Sequence, residues 1–269
     1  MIAFYLSAVI AASPPLPAIS PGSREIEIAE SRGQRMYRYN RLAPSASALA
    51  EQVLEDRLAE TRGYTVSDNG DTQTLTFIGL EDEKPYAIWR GIFRNAKQVS
   101  GGFVPVGSKS ASPTVIERDI FNAQRAALSY VFNASEKEGL KSCAGDVMPN
   151  LVVLTPTTTD PDLNVYIVSP QTDKDVVPLG GHYRVTLDKD LNANSFRSMT
   201  EGCHDIDLFH DGQRLVATHV RHKLEPFPNE IHVFVALEAE ARLEVYTGDA
   251  DRWTVEKGRI HREANKAGR

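Results

Sequence analysis

The chain holds only two cysteines and two tryptophans in its 269 residues, and it lacks several things that would fix its class at once. Cys143 and Cys203 stand too far apart for a Cys-x-x-Cys redox pair and are too few for a cysteine-built zinc cluster. Basic residues are in deficit, 30 Lys and Arg against 36 Asp and Glu, for a formal net charge of -6. A phosphate backbone is bound through clustered cations that displace counterions, so nucleic acid is not an expected partner. There is no Gly-x-Ser-x-Gly, no Ser-x-x-Lys with its companion motifs, no glycine loop opening a helix and no internal repeat. Acyl transfer and nucleotide binding therefore have no motif to stand on, and no apolar run is long enough to span a bilayer as a helix. With 41% apolar and 25% charged residues, the composition is that of a chain that folds in water around its own core.

What is present starts at the N-terminus. Met1 to Ala12 is almost unbroken apolar, the length of a secretory signal's hydrophobic region, and Ser13-Pro14-Pro15-Leu16-Pro17-Ala18 follows with helix breakers and a small residue for cleavage. No Lys or Arg precedes the run, which departs from the usual signal. The pattern predicts a signal peptide over 1–18 and a periplasmic or secreted mature protein. Such a compartment pairs thiols, and the surroundings Ser142-Cys143-Ala144-Gly145 and Glu201-Gly202-Cys203-His204 read as loops. A disulfide there closes a loop of about sixty residues, worth at most ~4 kcal/mol in the chain-entropy account.

Along the mature chain, 19–44 reads as a weakly ordered segment in which Glu25-Ile26-Glu27-Ile28 alternates like one strand. A first helix is predicted from Ser47 to about Glu60, on the helical spacing of Leu49, Val53, Leu54 and Leu58 and the stop at Gly63. Tyr64–Ser67 and Thr72–Ile78 flank an Asn69-Gly70 hairpin signal, and with Tyr86–Phe93 and Phe103–Val106 they make a four-stranded meander, the stretch from Asn95 to Gly102 being a polar turn. Ser112-Pro113, then Thr114 with Glu117 as a capping box, open the strongest helix, which runs to Gly139 with two apolar stripes. Eight strands are expected after Cys143, including Leu215–Val220, Ile231–Leu237 and Leu243–Thr247, with no helix between them. The resulting fold class is α+β: an antiparallel sheet packed against one long central helix and a shorter N-terminal helix. One domain over 45–260 is predicted, with a possible sub-boundary near 138–149 and a basic tail at 261–269.

All seven histidines lie in the last third, and two groupings there are the candidate sites. His182 and Arg184, two apart on a strand behind Gly180-Gly181, would face one way and offer an imidazole and a guanidinium to an anionic ligand. A plain hairpin turn and half-exposed strand compete with that reading. His204, Asp205, Asp207 and His210 are dense in metal-ligand types, although Ile206, Leu208 and Phe209 alternate between them as packing residues do. His219 and His222 point to opposite faces of a strand, and Glu230 with His232 reads as a surface pair at a strand entry. No catalytic residue and no cofactor is assigned.

Cys143, Asn150-Leu151-Val152-Val153-Leu154, Gly180-Gly181-His182-Tyr183-Arg184 and Cys203, followed by Ile231-His232-Val233-Phe234, together resemble a pattern in uncharacterised exported proteins of Gram-negative bacteria. The resemblance covers mainly the second half; it implies export and the disulfide, and it carries no activity. The expected function is therefore that of an exported binding or protein-interaction module, leaning away from catalysis, with an envelope protein or small ligand as partner and no membrane span. A metal-dependent hydrolase built from the histidine-rich third and an immunity or inhibitor protein are the alternatives.

Overall fold

A computed structural model of the chain describes residues 22–138, 143–248 and 251–263. The expected signal peptide lies outside the described residues, as do 139–142 within the expected sub-boundary and 264–269 of the expected tail. Two helices come first, α1 (Ser23–Asn40) and α2 (Leu42–Leu54), with a 3-10 turn at Glu55–Glu60. The strands β1 (Thr61–Asn69), β2 (Thr72–Glu81), β3 (Lys84–Arg94) and β4 (Lys97–Phe103) follow, then a 3-10 turn at Lys109–Ala111 and α3 (Val115–Glu138). Next are β5 (Asn150–Leu154), β6 (Leu163–Val168), β7 (Val176–Pro178), β8 (Tyr183–Leu187), β9 (Ala193–Ser198), β10 (Asp205–Asp207), β11 (Phe209–His210), β12 (Gln213–Arg214) and β13 (Ala217–His222). The chain closes with α4 (Glu230–Ala239), β14 (Arg242–Thr247), β15 (Asp251–Glu256) and β16 (Arg259–Arg262).

The class is α+β. Three four-stranded sheets, β1-β2-β3-β4, β5-β6-β8-β9 and β13-β14-β15-β16, are joined by the small ribbons β7/β10 and β11/β12. The sheet centred on β6 is buried on both faces: Val153, Val165, Ile167, Val185 and Leu187 meet Ile120, Ala123 and Ala127 of α3, while Val152, Leu154, Tyr166 and Val168 join the main core with α1 and α4. That double burial explains why Leu151–Leu154 and Val165–Val168 are continuous apolar runs rather than alternating ones. In the first sheet, Tyr64, Phe77, Trp89 and Phe93 form a chain of ring contacts on the core face. Cys143 and Cys203 are joined by a disulfide, with Cα atoms 5.3 Å apart.

The meander has the expected order, but its last strand is displaced. β4 occupies Lys97–Phe103, across the stretch expected to be a turn, and the real turn is only Asn95-Ala96, both with φ near +50° to +60°. Gly101 and Gly102 look like turn residues in sequence; here they lie in a strand held by its pairing with β3.

Larger departures concern the helices. Glu25–Ile28, expected as a strand, lies within α1, and the segment expected to be weakly ordered is helical from Ser23 onward. Its buried face includes Ala29, Met36 and Tyr39 at helical spacing, but also Glu30, Arg32 and Arg35, whose charge hides the stripe. The most enclosed helix is α4, not α3. Eight of its residues are buried on all sides, and its Ile-His-Val-Phe-Val run is rich in the β-branched and aromatic residues that suggest a strand. A cap decides the matter: Asn229 Oδ1 accepts from Ile231 N–H at 3.1 Å, and His232 Nδ1 accepts from Asn229 N–H at 3.2 Å. Because α4 is a helix, β13 and β14 run parallel on either side of it, a βαβ unit within a sheet expected to be wholly antiparallel.

α1 and α4 cross closely at Gly33. A Cβ there would lie 2.5 Å from Val233 Cβ and 2.6 Å from Glu230 O, so any side chain forces the helices apart. Gly33→Ala is expected to destabilise by about 1–3 kcal/mol through overpacking, read as a lower urea midpoint at unchanged slope. Val233→Ala in the same chain should restore part of the loss, and a neutral Gly33→Ala would refute the tight crossing.

Candidate functional site

The residues expected to carry a site are dispersed. His182 is fully buried: its Nδ1 accepts from Ser169 N–H at 3.2 Å, so its Nε2 donates to Pro178 O at 3.0 Å. Both nitrogens are engaged, and burial pushes its pKa down to about 4. Arg184 on β8 does project toward α4, as does His182 just before the strand, but inward rather than from a half-exposed strand, and its Nη1 is hydrogen-bonded to Glu230 Oε1. The paired glycines serve the disulfide: a Cβ on Gly181, whose φ is +73°, would lie 2.5 Å from Cys143 Sγ.

The proposed metal ligands are not assembled. His204, Asp205, Asp207 and His210 are exposed, with Ile206 between the two aspartates turned into the core. Among the described residues no three His, Cys, Asp or Glu side chains are grouped so as to hold a metal ion. Glu230 and His232 are not a surface pair either. Both are buried in the first turn of α4 and serve two separate clusters.

Glu230 anchors the first cluster. Its Oε1 accepts from Tyr166 OH at 2.6 Å and from Arg184, with Arg32 Nη1 3.5 Å away. Arg32 in turn makes a fork with Asp160, Nε to Oδ2 at 2.7 Å and Nη2 to Oδ1 at 2.6 Å. Two guanidiniums thus face two carboxylates inside the protein. Burial alone would raise the pKa of Glu230, but Arg184 and Arg32 outweigh it and hold the carboxylate below its ordinary range. Tyr166, buried beside that charge, is pushed well above its usual value.

The second cluster surrounds His232. Its ring stands edge-on to His222 at 4.6 Å between centroids, and burial lowers its pKa to about 3. His222 Nε2 lies 3.6 Å from Glu225 Oε2, Arg197 pairs with Glu225 Oε1 at 2.8 Å, and Asn229 Nδ2 reaches Glu225 Oε2 at 3.0 Å. Burial would raise Glu225, yet His222, Arg197 and Asn229 bring it to about 2. Neither cluster lines any of the described cavities.

Open space lies elsewhere. A cleft of about 920 Å³ sits between the polar face of the meander and the start of α3. Its base is an ion pair: Arg90 Nε and Nη2 fork onto Glu117 Oε1 and Oε2 at 2.8 and 2.7 Å, and Thr76 Oγ1 also donates to Glu117. The spare donors of Arg90 go to Ser110 O and Ser112 O, which ties the loop before α3 down onto the sheet. Glu117 also accepts from Thr114 N–H at 2.7 Å while Thr114 Oγ1 accepts from Glu117 N–H at 3.2 Å, the capping box expected from the sequence. Burial would raise Glu117, but Arg90, Thr76 and Thr114 bring it down to about 2. Above this saturated base the walls are hydroxyls and exposed aliphatic surface: Ile92 is 37% exposed, Ile116 51% and Val115 64%. Gly102 floors the cleft, and a Cβ added there meets nothing within 4 Å. The sequence reading missed this site because Arg90, Glu117 and Gly102 lie far apart in the chain; the capping box of Thr114 and Glu117 was its legible part.

No protein-family model matches this chain, and no curated protein or solved structure matches it significantly.

Two outcomes follow for the buried clusters. Glu230→Gln is expected to cost about 3–5 kcal/mol, the usual penalty for leaving buried cations uncompensated, measured by urea unfolding at pH 7. The neutral imidazoles of His182 and His232 have folded-state pKa values of about 4 and about 3, below the unfolded value near 6.5, so their stabilisation is complete above that value and is lost as pH falls. His182 alone should remove roughly 3 kcal/mol between pH 7 and pH 4. The lowered carboxylates Glu230 and Glu117 act in the same direction below about pH 4.5. Urea midpoints measured from pH 7 to pH 4 should fall steadily; a flat profile would contradict the burial of both imidazoles.

Proposed function

We propose that this protein is an exported binding module and that its partner occupies the cleft between the meander sheet and the start of α3. One observation carries the reading: three exposed apolar side chains, Ile92, Val115 and Ile116, line a single cleft whose charged base is already fully paired. Apolar surface gathered in one place and kept in water is costly unless something covers it, which distinguishes such a patch from scattered exposed residues. The lining carries no free charge or nucleophile aimed at a reacting atom, so the arrangement suits binding better than catalysis. The histidine-rich third, on which a metal-dependent hydrolase would rest, contributes nothing to this cleft.

Export is the natural setting. The Cys143–Cys203 bridge is compatible with an oxidising compartment, and among the described residues no helix is long and apolar enough to cross a membrane. The apolar run Met1–Ala12 supports the same reading.

A photoreactive amino acid at Ser100, on the cleft wall, should give one defined adduct in cells, whereas the same probe at exposed Asp190 should give none of it. Gly102→Trp, which fills the cleft from an open position, should remove the adduct while leaving the unfolding midpoint near that of the parent. Equal adducts from both positions, or an adduct indifferent to Gly102→Trp, would place the partner elsewhere.

A further inference from the structure

We propose that the occupant of the cleft is an extended segment of a partner polypeptide, apolar in alternation and acidic at its ends, which adds as a further strand to the open edge of β4. This rests on the reading of the cleft as the binding site and specifies its ligand.

The edge is the first ground. In the sheet β1-β2-β3-β4, α3 crosses over β1, and Gln124 Nε2 donates to Tyr64 O at 2.9 Å. The opposite edge, β4, has no strand beside it among the described residues, and none of its residues is buried. Edges left open in this way are normally guarded by Lys, Pro, a bulge or a cover. The first half of β4 has two such guards, Lys97 and the register shift opposite Ile92/Phe93. Its second half, Ser100-Gly101-Gly102-Phe103, has none.

Register identifies the groups on offer. Val104 N–H donates to Ile88 O at 2.9 Å, and Gly102 and Ser100 stand opposite Arg90 and Ile92. The alternation of an antiparallel ladder therefore turns the N–H and C=O of Gly102 and Ser100 toward β3 and those of Gly101 and Phe103 outward. An added strand would bond to those outward groups, and its alternate side chains would fall over the cleft. The absent side chain of Gly102 leaves room on that face. On the other face Phe103, with Arg57 4.8 Å from its ring centre, offers an apolar wall.

Charge selects the partner. Lys97 at the start of β4 and Lys109 beyond its end are exposed, and neither has a carboxylate partner among the described residues. A segment with Asp or Glu at its ends would meet both. A second copy of this chain would not: two β4 strands running antiparallel bring the Lys97 end of each toward the Lys109 end of the other, like charge against like.

A displayed library of random seven-residue segments, selected against the intact folded protein, supplies the probe. Enriched segments are expected to alternate apolar residues and to end in Asp or Glu. As a synthetic peptide, the winner should slow hydrogen exchange at the Gly101 and Phe103 amides at least tenfold. It should lose at least tenfold in affinity when its alternate backbone nitrogens are methylated, and similarly against Lys97→Glu. Gly102→Trp separates the two levels of the proposal. If that change abolishes binding but the two amides stay unprotected in the parent complex, the cleft binds and strand addition is wrong. If binding survives it, or no segment is enriched, both readings fall. Protection of the same amides that rises with protein concentration in the absence of peptide would assign the edge to a second copy and overturn the proposal.

Discussion

Glu230 lies at the first turn of a helix with almost no polar face, and the rest of the architecture is arranged around the need to neutralise it. Its carboxylate faces Arg184 from the central sheet, Arg32 from α1 and the hydroxyl of Tyr166 between them. Each partner comes from a different element, so α4 can dock only when the sheet and α1 are both in place. Gly33 lets the two helices approach until Val233 is within contact distance. Arg32 then carries the connection onward to Asp160, in the loop leading into β6. A buried ion pair is weak support for stability in itself, but removing one member is costly, and a set spanning four elements specifies one packing among many.

The cleft uses the same device on the first sheet. Glu117 is asked to cap its own helix and to bind Arg90 and Thr76 across the meander. One carboxylate thus fixes the angle at which α3 leaves the sheet and the position of the loop before it. Since that leaves no free charge in the base, the proposed segment would meet only shape, apolar surface and backbone groups there, with charge read at its ends.

How much of this was legible in the sequence depends on whether the signal was local. Asn69-Gly70, the Thr114/Glu117 box and seven of the eight strands expected in the second half are local patterns, and the structure has them. The bridge between Cys143 and Cys203 was legible from count and context. α1 was hidden because its inward face carries Glu30, Arg32 and Arg35, which a hydrophobic pattern assigns to solvent until their partners are known. α4 was hidden for the opposite reason: a helix buried all round has no polar face to give it a period, and its β-branched residues point to a strand. The candidate residues His182 and Arg184 both project toward α4, but sequence does not say which side is the interior.

Both misread helices belong to the same seam, which explains why the topology went astray with them. Reading α4 as a strand turns a βαβ unit into a meander and removes the reason for α1 to be at the centre. The β4 edge shows the converse error: two glycines suggested a turn, whereas they lie in a strand whose outer edge is open among the described residues. A residue type that weakens a strand by itself is suited to an edge that another chain completes, because the missing side chains become room for the newcomer and the outward amides become its partners. The features least favourable to folding in isolation, an exposed aliphatic wall and an unguarded strand end, therefore converge on one face of the meander, where the Arg90–Glu117 pair has already fixed the geometry.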